Sequence, residues 1–140
     1  MKLDLILRVG TKLILPFILI FAPYVHFHGD YGPGGGFQAG VIIAAAFILY
    51  ALIFGIEAVE RIAPQSIVER LVPLGVLIYA AAGLPAMLSG SGRYLDYGVF
   101  AHDFAHAHEW GILIVECGVI TTVASTMLAI FYAFANRGRQ

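Results

Sequence analysis

Charged residues are scarce in this chain, and cysteine is almost absent. Only 12% of its 140 residues are charged, whereas soluble domains average roughly 25%. With 60% hydrophobic residues, the chain lacks the polar surface of a water-soluble globule. A net charge of −1 excludes the basic footprint of a nucleic-acid-binding protein. The single cysteine, Cys117, excludes an internal disulfide, and no CxxC motif is present for a zinc or iron–sulfur site.

Long apolar runs are what the sequence has instead. A membrane-spanning helix needs about 20 mostly apolar residues, and four segments qualify: approximately 5–27, 36–56, 71–88 and 110–135. The first run extends well past the apolar core of a cleaved signal peptide, so we expect it to remain as a membrane helix. The sequence therefore predicts a single all-α domain over residues 1–140, a multi-pass protein of the cell membrane with four transmembrane helices.

The distribution of lysine and arginine predicts the orientation, because cytoplasmic segments retain these residues. Seven of the eight basic residues lie at the two termini or between the second and third spans, and only Arg93 lies elsewhere. Both termini are therefore expected in the cytoplasm, with residues 28–35 and 89–109 outside. The five histidines then lie at or near the outer face: His26, His28, His102, His106 and His108.

A glycine-rich motif between the first two spans is the most specific local feature. It runs from His28 to Gly40 and reads HGDYGPGGGFQAG. It lacks the Lys-Ser/Thr pair of a nucleotide-binding P-loop. One interpretation is a polar backbone cradle beside Asp30 and Gln38, lining an ion or water path. The other, favoured by spacing alone, is a tight turn at Pro33 whose glycines let helices touch. These glycines are Gly34, Gly35 and Gly36.

Small residues form a stripe along two of the spans. At about 100° per residue, the small residues of the second span share one face: Gly36, Gly40, Ala44, Ala51 and Gly55. The last span has a counterpart: Gly111, Gly118, Thr122, Ser125 and Ala129. Small residues allow membrane helices to approach closely. We therefore predict that the two stripes pack against each other.

Glu116 is the only charged residue inside the last span. A charge within a membrane is costly, by about 2.5–3.5 kcal/mol on insertion scales, and it marks a functional site by default. Its angular position is opposite the small stripe, so the spacing predicts that Glu116 faces away from its own bundle, toward a partner protein. A protonated glutamate making one structural hydrogen bond between helices is the alternative.

The histidines admit a metal or haem interpretation. His102 and His106 have the i, i+4 spacing of a metal-binding pair, but exposed or interfacial histidines are commoner. His26 with His102 or His106 could supply axial ligands to a haem. A haem-binding electron-transfer subunit is therefore an alternative function, which a visible absorption spectrum of the purified protein would reveal.

The sequence resembles the MnhB family, small membrane subunits of the Mrp-type multisubunit monovalent cation/proton antiporters. The resemblance is carried by His28-Gly29 and by the run from Tyr31 to Gly40, YGPGGGFQAG, followed by an alanine-rich span. A late GILIVECGV stretch adds to it. A larger aliphatic residue is expected in the family where Cys117 stands. Related subunits occur in membrane-bound respiratory hydrogenases.

The resemblance implies a function that spacing does not. It implies an accessory subunit of a complex that exchanges Na⁺ for protons, needed for assembly and transport, beside large antiporter subunits related to respiratory complex I. Pro33, the triple glycine, Phe37 and Gln38 become the first candidates for an ion path or interface, and Glu116 the second. No enzymatic activity, metal or cofactor is expected, and membrane lipid surrounds the subunit. A structural subunit of a related hydrogenase is a further alternative.

Overall fold

A computed structural model describes residues 2–29, 32–88, 94–95 and 104–137, and the described residues form five helices with no strand. The helices are α1 (Lys2–His28), α2 (Gly36–Phe54), α3 (Ile56–Glu60), α4 (Gln65–Leu88) and α5 (Phe104–Arg137). Four of these, α1, α2, α4 and α5, are long and apolar enough to cross a membrane. The all-α class and the four spans expected from the sequence are confirmed.

Helix boundaries differ from the expectation where polar residues flank an apolar run. The third long helix begins at Gln65, six residues before the predicted span, and the Gln65 amide donates to the Glu69 carboxylate at 2.7 Å one turn later. The last helix begins at Phe104, inside the predicted outer segment. An apolar run marks the part of a helix that lipid covers, whereas backbone hydrogen bonding continues into the polar flanks.

Gly55 ends α2 and does not belong to a packing stripe. Its φ of 95° is a left-handed value that favours glycine, and its N–H donates to the carbonyl of Ala51 at 2.9 Å. A Cβ added there would meet nothing within 4 Å. Gly55 thus separates α2 from the single turn of α3, and the prediction that it packs against another helix is wrong.

The long helices are neighbours in the order α1, α2, α5, α4. Helix α5 packs against both α2 and α4, and α1 packs against α2. At the start of α1, the cationic ends of Arg8 and Lys12 lie over the ring of Phe54, 5.9 and 5.7 Å from its centre. Such cation–π contacts stabilise a charge beside an apolar surface.

Two opposite faces of α5 pack against other helices. The prediction that the two small stripes pack against each other is therefore wrong. The α2 and α5 helices do pack together, but a Cβ added at Gly40 would lie 2.9 Å from the Cβ of Val123. The small face of α5 instead meets α4, where a Cβ at Gly118 would lie 2.8 Å from the carbonyl oxygen of Gly75. Thr122 donates a long hydrogen bond, 3.4 Å, to the Val72 carbonyl on that side.

Two more of the residues predicted to pack, Ala44 and Ser125, are buried. Ala44 belongs to a core cluster with Leu128, while the hydroxyl of Ser125 donates to the carbonyl of Thr121 within its own helix at 2.6 Å. Serine commonly satisfies its hydroxyl in this way within a helix. Ser125 therefore contributes its small size to the packing and no hydrogen bond between helices.

A core cluster joins α2 and α3 to the start of α4 and the C-terminal part of α5. Its buried members are Ala44, Ala51, Val59, Val68, Leu128 and Tyr132. Tyr132 is fully buried, and its hydroxyl donates to the carbonyl of Ala63 at 2.8 Å. This bond ties α5 to the connection between α3 and α4.

Replacing Tyr132 with phenylalanine is expected to destabilise the chain by about 1 kcal/mol, because the half-buried carbonyl of Ala63 loses its donor. The measurement is the thermal unfolding midpoint of the purified protein in detergent, which should fall by a few degrees. Tyr50→Phe is the matched control, since Tyr50 borders the same cluster and no hydrogen bond of its hydroxyl is seen among the described residues. Equal midpoints for the two variants would contradict the assigned role.

Most of the apolar surface of the spans is uncovered within the chain. Only 11–28% of the most apolar stretch of each span is buried, and α1 exposes large side chains along its length, including Phe17 and Ile20. Exposed apolar patches of this extent are unusual on soluble proteins and mark contact with lipid or protein.

Candidate functional site

Three helices meet where α1 ends and α2 begins. His26, in the last turn of α1, faces Glu116 of α5, and its Nδ1 lies 3.1 Å from the glutamate Oε2. His26 is 6% exposed, whereas the Glu116 side chain is 24% exposed. The pair therefore joins the first and last spans through two side chains that can each gain or lose a proton.

The histidine nitrogen in this pair is buried without a hydrogen bond. Nδ1 is close enough to Glu116 for an ion pair, but the two groups do not meet hydrogen-bond geometry, and no other partner of Nδ1 is seen among the described residues. An unsatisfied buried polar atom costs about 1–3 kcal/mol. A change of side-chain angle that lets Nδ1 and Glu116 share a proton would remove that cost.

The glycine motif forms the third wall of this site. Gly35 caps α2 with φ 115° and ψ 177°, a conformation essentially restricted to glycine, and its N–H donates to the carbonyl of Val25 at 3.1 Å. A Cβ added at Gly36 would lie 2.6 Å from the backbone oxygen of Glu116. Both glycines are buried, so the turn rests directly on the backbone of α5.

The carboxylate of Glu116 lies beside the N-terminal end of α2. Its Oε1 is 3.2 Å from the position that a Cβ of Gly35 would occupy. The helix has no acidic residue in its first turn and no side-chain cap. A helix N-terminus carries a partial positive charge that stabilises a nearby carboxylate.

Three other residues of the motif point outward. Pro33, Phe37 and Gln38 are exposed, Phe37 to 64%, whereas Gly34 is half-buried. The motif thus has an inner side of glycines against α1 and α5 and an outer side that presents an aromatic ring and an amide. The tight-turn interpretation describes the inner side of this motif.

The prediction that Glu116 faces away from its own bundle is wrong. That prediction assumed that one face of α5 packs inward, whereas α5 lies between α2 and α4 and packs on two opposite faces. Glu116 belongs to the face against α2, together with Ile120 and Val123. Its partner is His26 of the same chain.

Sequence reasoning did not pair His26 with Glu116. A signal was present: His26 lies two residues before the end of α1, and Glu116 follows the predicted start of the last span by six residues. The predicted topology therefore places both near the same boundary of the membrane. Depth alone does not decide which helices are adjacent. The α1–α5 contact arises only because the glycine turn brings α2 onto α5.

The other candidate ligands give no metal centre among the described residues, where no group of three His, Cys, Asp or Glu side chains occurs. His28 stacks on Tyr24 with ring centres 5.5 Å apart. His102 and Asp30 lie outside the described residues, as do the side chains of His106 and His108. Cys117 is free and exposed.

Comparison with known proteins gives one consistent result. Residues 6–129 match the MnhB family, described as a domain related to the MnhB subunit of Na⁺/H⁺ antiporter. A protein of Staphylococcus haemolyticus (strain JCSC1435) named "Putative antiporter subunit mnhB2" is 30% identical over 135 residues, which are 95% of each chain. A protein of the same name from Staphylococcus aureus (strain Newman) is 34% identical over 129 residues, 86% of this chain and 91% of the relative. The matched residues include parts of all four spans.

Proposed function

The chain belongs to the MnhB family, and from this we propose that it is an accessory membrane subunit of a multisubunit Na⁺/H⁺ antiporter. The observation that carries the proposal is the family match over residues 6–129, which begins in α1 and ends in α5. The relatives are matched over nearly their whole length. The role belongs to a transporter component and involves no enzymatic step.

The uncovered apolar surface supports a subunit that works within a larger assembly. Its neighbours in this proposal are the other antiporter subunits, including the large ones related to complex I. The outer side of the glycine motif offers a contact for them, because Pro33, Phe37 and Gln38 are exposed beside buried glycines. Lipid covers the rest, and the transported ions are Na⁺ and H⁺.

The orientation proposed for the subunit places both termini in the cytoplasm and the His26–Glu116 pair toward the outer face of the cell membrane. Four crossings leave the two ends of a chain on the same side. The basic residues near those ends, Arg8, Lys12 and Arg137 among them, favour the cytoplasmic side.

Deleting this chain from its antiporter complex is expected to abolish Na⁺-dependent proton exchange. The reason is that the exposed apolar faces of neighbouring subunits lose their cover, so the complex does not assemble. The measurements are the yield of the purified complex and the Na⁺-induced collapse of a pH gradient in everted membrane vesicles. Both should return to the wild-type level when the chain is supplied from a plasmid.

Two results of the same purification would contradict this function. The first is that the chain copurifies with hydrogenase subunits in place of antiporter subunits. The second is that the purified complex shows the visible absorption of a haem that is lost when the histidines of this chain are replaced. Unchanged antiport in the deletion strain would also contradict it.

A further inference from the structure

We propose that His26 and Glu116 together form a proton-binding site, in which one proton is shared between the imidazole Nδ1 and the carboxylate. This inference rests on the proposed function, because the proton that the site takes up is one of those that the antiporter exchanges. It goes further by assigning the proton to two named side chains within this one subunit.

The geometry favours a shared proton over two independent groups. Nδ1 and Oε2 are 3.1 Å apart on different helices, and Nδ1 has no hydrogen-bond partner. In the loaded form, the proton lies on the imidazole beside a carboxylate or on the carboxyl group beside a neutral imidazole, and the pair is neutral overall. On release, the Nδ1–H bond breaks, its electron pair stays on nitrogen, and the proton leaves through the carboxylate to water. The pair then carries a charge of −1.

The opening of the site is on the glutamate side. His26 is almost completely enclosed, whereas about a quarter of the Glu116 side chain is exposed. A proton therefore reaches the imidazole by way of the carboxylate. The N-terminus of α2 beside Glu116 stabilises the released, negative form of the pair, which keeps the unloaded state accessible inside the membrane.

The same surroundings disfavour Na⁺ as the occupant. Na⁺ is a hard cation that prefers several oxygen ligands, as other such cations do, and this site offers one carboxylate and one imidazole nitrogen. The positive end of α2 repels a cation from the carboxylate. Within the described part of the chain, no third acidic or sulfur ligand completes the set.

Among the described residues, few other titratable groups lie near the pair on the helices that form the site. On α1, Tyr24 and His28 lie two residues either side of His26 and stack on each other. On α5, Glu109 is exposed and lies two turns before Glu116, and Cys117 is exposed next to it. Helix α2 contains no charged residue. Helix α4 packs on the opposite face of α5, and Asp30 lies outside the described residues.

The test uses the assembled complex in everted vesicles with the variants His26→Gln, Glu116→Gln and the double variant. Antiport is measured over a range of pH. Each single variant is expected to lower the rate about tenfold near the half-maximal pH of the wild type, in the range of typical coupling between sites. The double variant should be no slower than the slower single variant, because both changes remove the same proton. His28→Gln and Glu109→Gln are the matched controls and should keep the wild-type profile.

Two outcomes would overturn the proposal while leaving the proposed function intact. One is wild-type pH profiles for both single variants in an assembled complex. The other is multiplication of the two single effects in the double variant, which would mean that the residues act independently.

Labelling of the wild-type complex gives an answer even if a variant fails to assemble. An apolar carbodiimide reacts with protonated carboxyl groups, so labelling of Glu116, read by mass spectrometry, should increase as the pH falls. The control is Glu109, which is exposed. Complete resistance of Glu116 at every pH at which antiport occurs would show that its carboxyl never receives the proton and would overturn the proposal.

Discussion

A complex carrying Gly36→Leu in this subunit is expected to be recovered at less than about a tenth of the wild-type yield. Even the first atom of the new side chain would lie 2.6 Å from the backbone oxygen of Glu116 and 3.1 Å from its Cα. Backbone atoms within a helix cannot rotate away as the end of a side chain can. Overpacking a core typically costs about 1–3 kcal/mol, and this clash of backbone with side chain falls at the upper end.

Gly36→Leu should disturb the His26–Glu116 site as well as lower the yield of the complex. Because Gly36 follows the residue that caps α2, moving it away from α5 also moves the turn that lies beside Glu116. Gly10→Leu is the matched control, since a Cβ at Gly10 would meet nothing within 4 Å. Quantitative recovery of an active Gly36→Leu complex would show that α2 and α5 do not touch at this point.

Gly75→Leu is expected to have an effect of similar size on the other face of α5. A Cβ at Gly75 would overlap the hydroxyl of Thr122, and it would lie 2.6 Å from the Thr122 nitrogen and 2.7 Å from the carbonyl oxygen of Gly118. The α4 helix would have to leave α5, and the largest contact between spans would be lost. Complex yield and thermal midpoint are the measurements.

A second substitution identifies the atoms that clash with Gly75→Leu. Thr122→Ala removes the hydroxyl but leaves the two backbone atoms where they are, so it should not restore the yield. Rescue by Thr122→Ala would show that only a side chain stands in the way and that the helices are farther apart than in this structure. Gly75→Ala should give an intermediate loss.

The number of spans could be predicted from the sequence because an apolar run of sufficient length has few alternatives in a membrane. The start of α2 at Gly36 could also be predicted, since Pro33 and the glycines interrupt the chain there. Both predictions depend on local properties of the chain. The close backbone contacts at Gly35 and Gly36 could be predicted for the same reason, because glycine has no side chain to prevent them.

The neighbours of each face could not be predicted in the same way. Helical spacing fixes the angle between Glu116 and Gly118 on α5, but it does not say which helix lies opposite either of them. In a soluble helix, a polar face marks the outside. The α5 span is apolar on nearly all sides, so no polar face indicates which side is exposed. The prediction assumed that only one face packs inward, and it therefore gave the wrong orientation for Glu116. The role of His26 followed only from the assembled helices.

The order of neighbours α1, α2, α5, α4 has a consequence for how the polypeptide matures. Synthesis proceeds from the N-terminus, so α1 and α2 can pair as soon as both have left the ribosome. Helix α4 is made next, but its principal neighbour does not yet exist. Helix α4 therefore lacks its main packing partner in the bilayer until α5 is inserted beside α2. Helix α5, which is translated after the other three, is therefore the one that joins α4 to the α1–α2 hairpin.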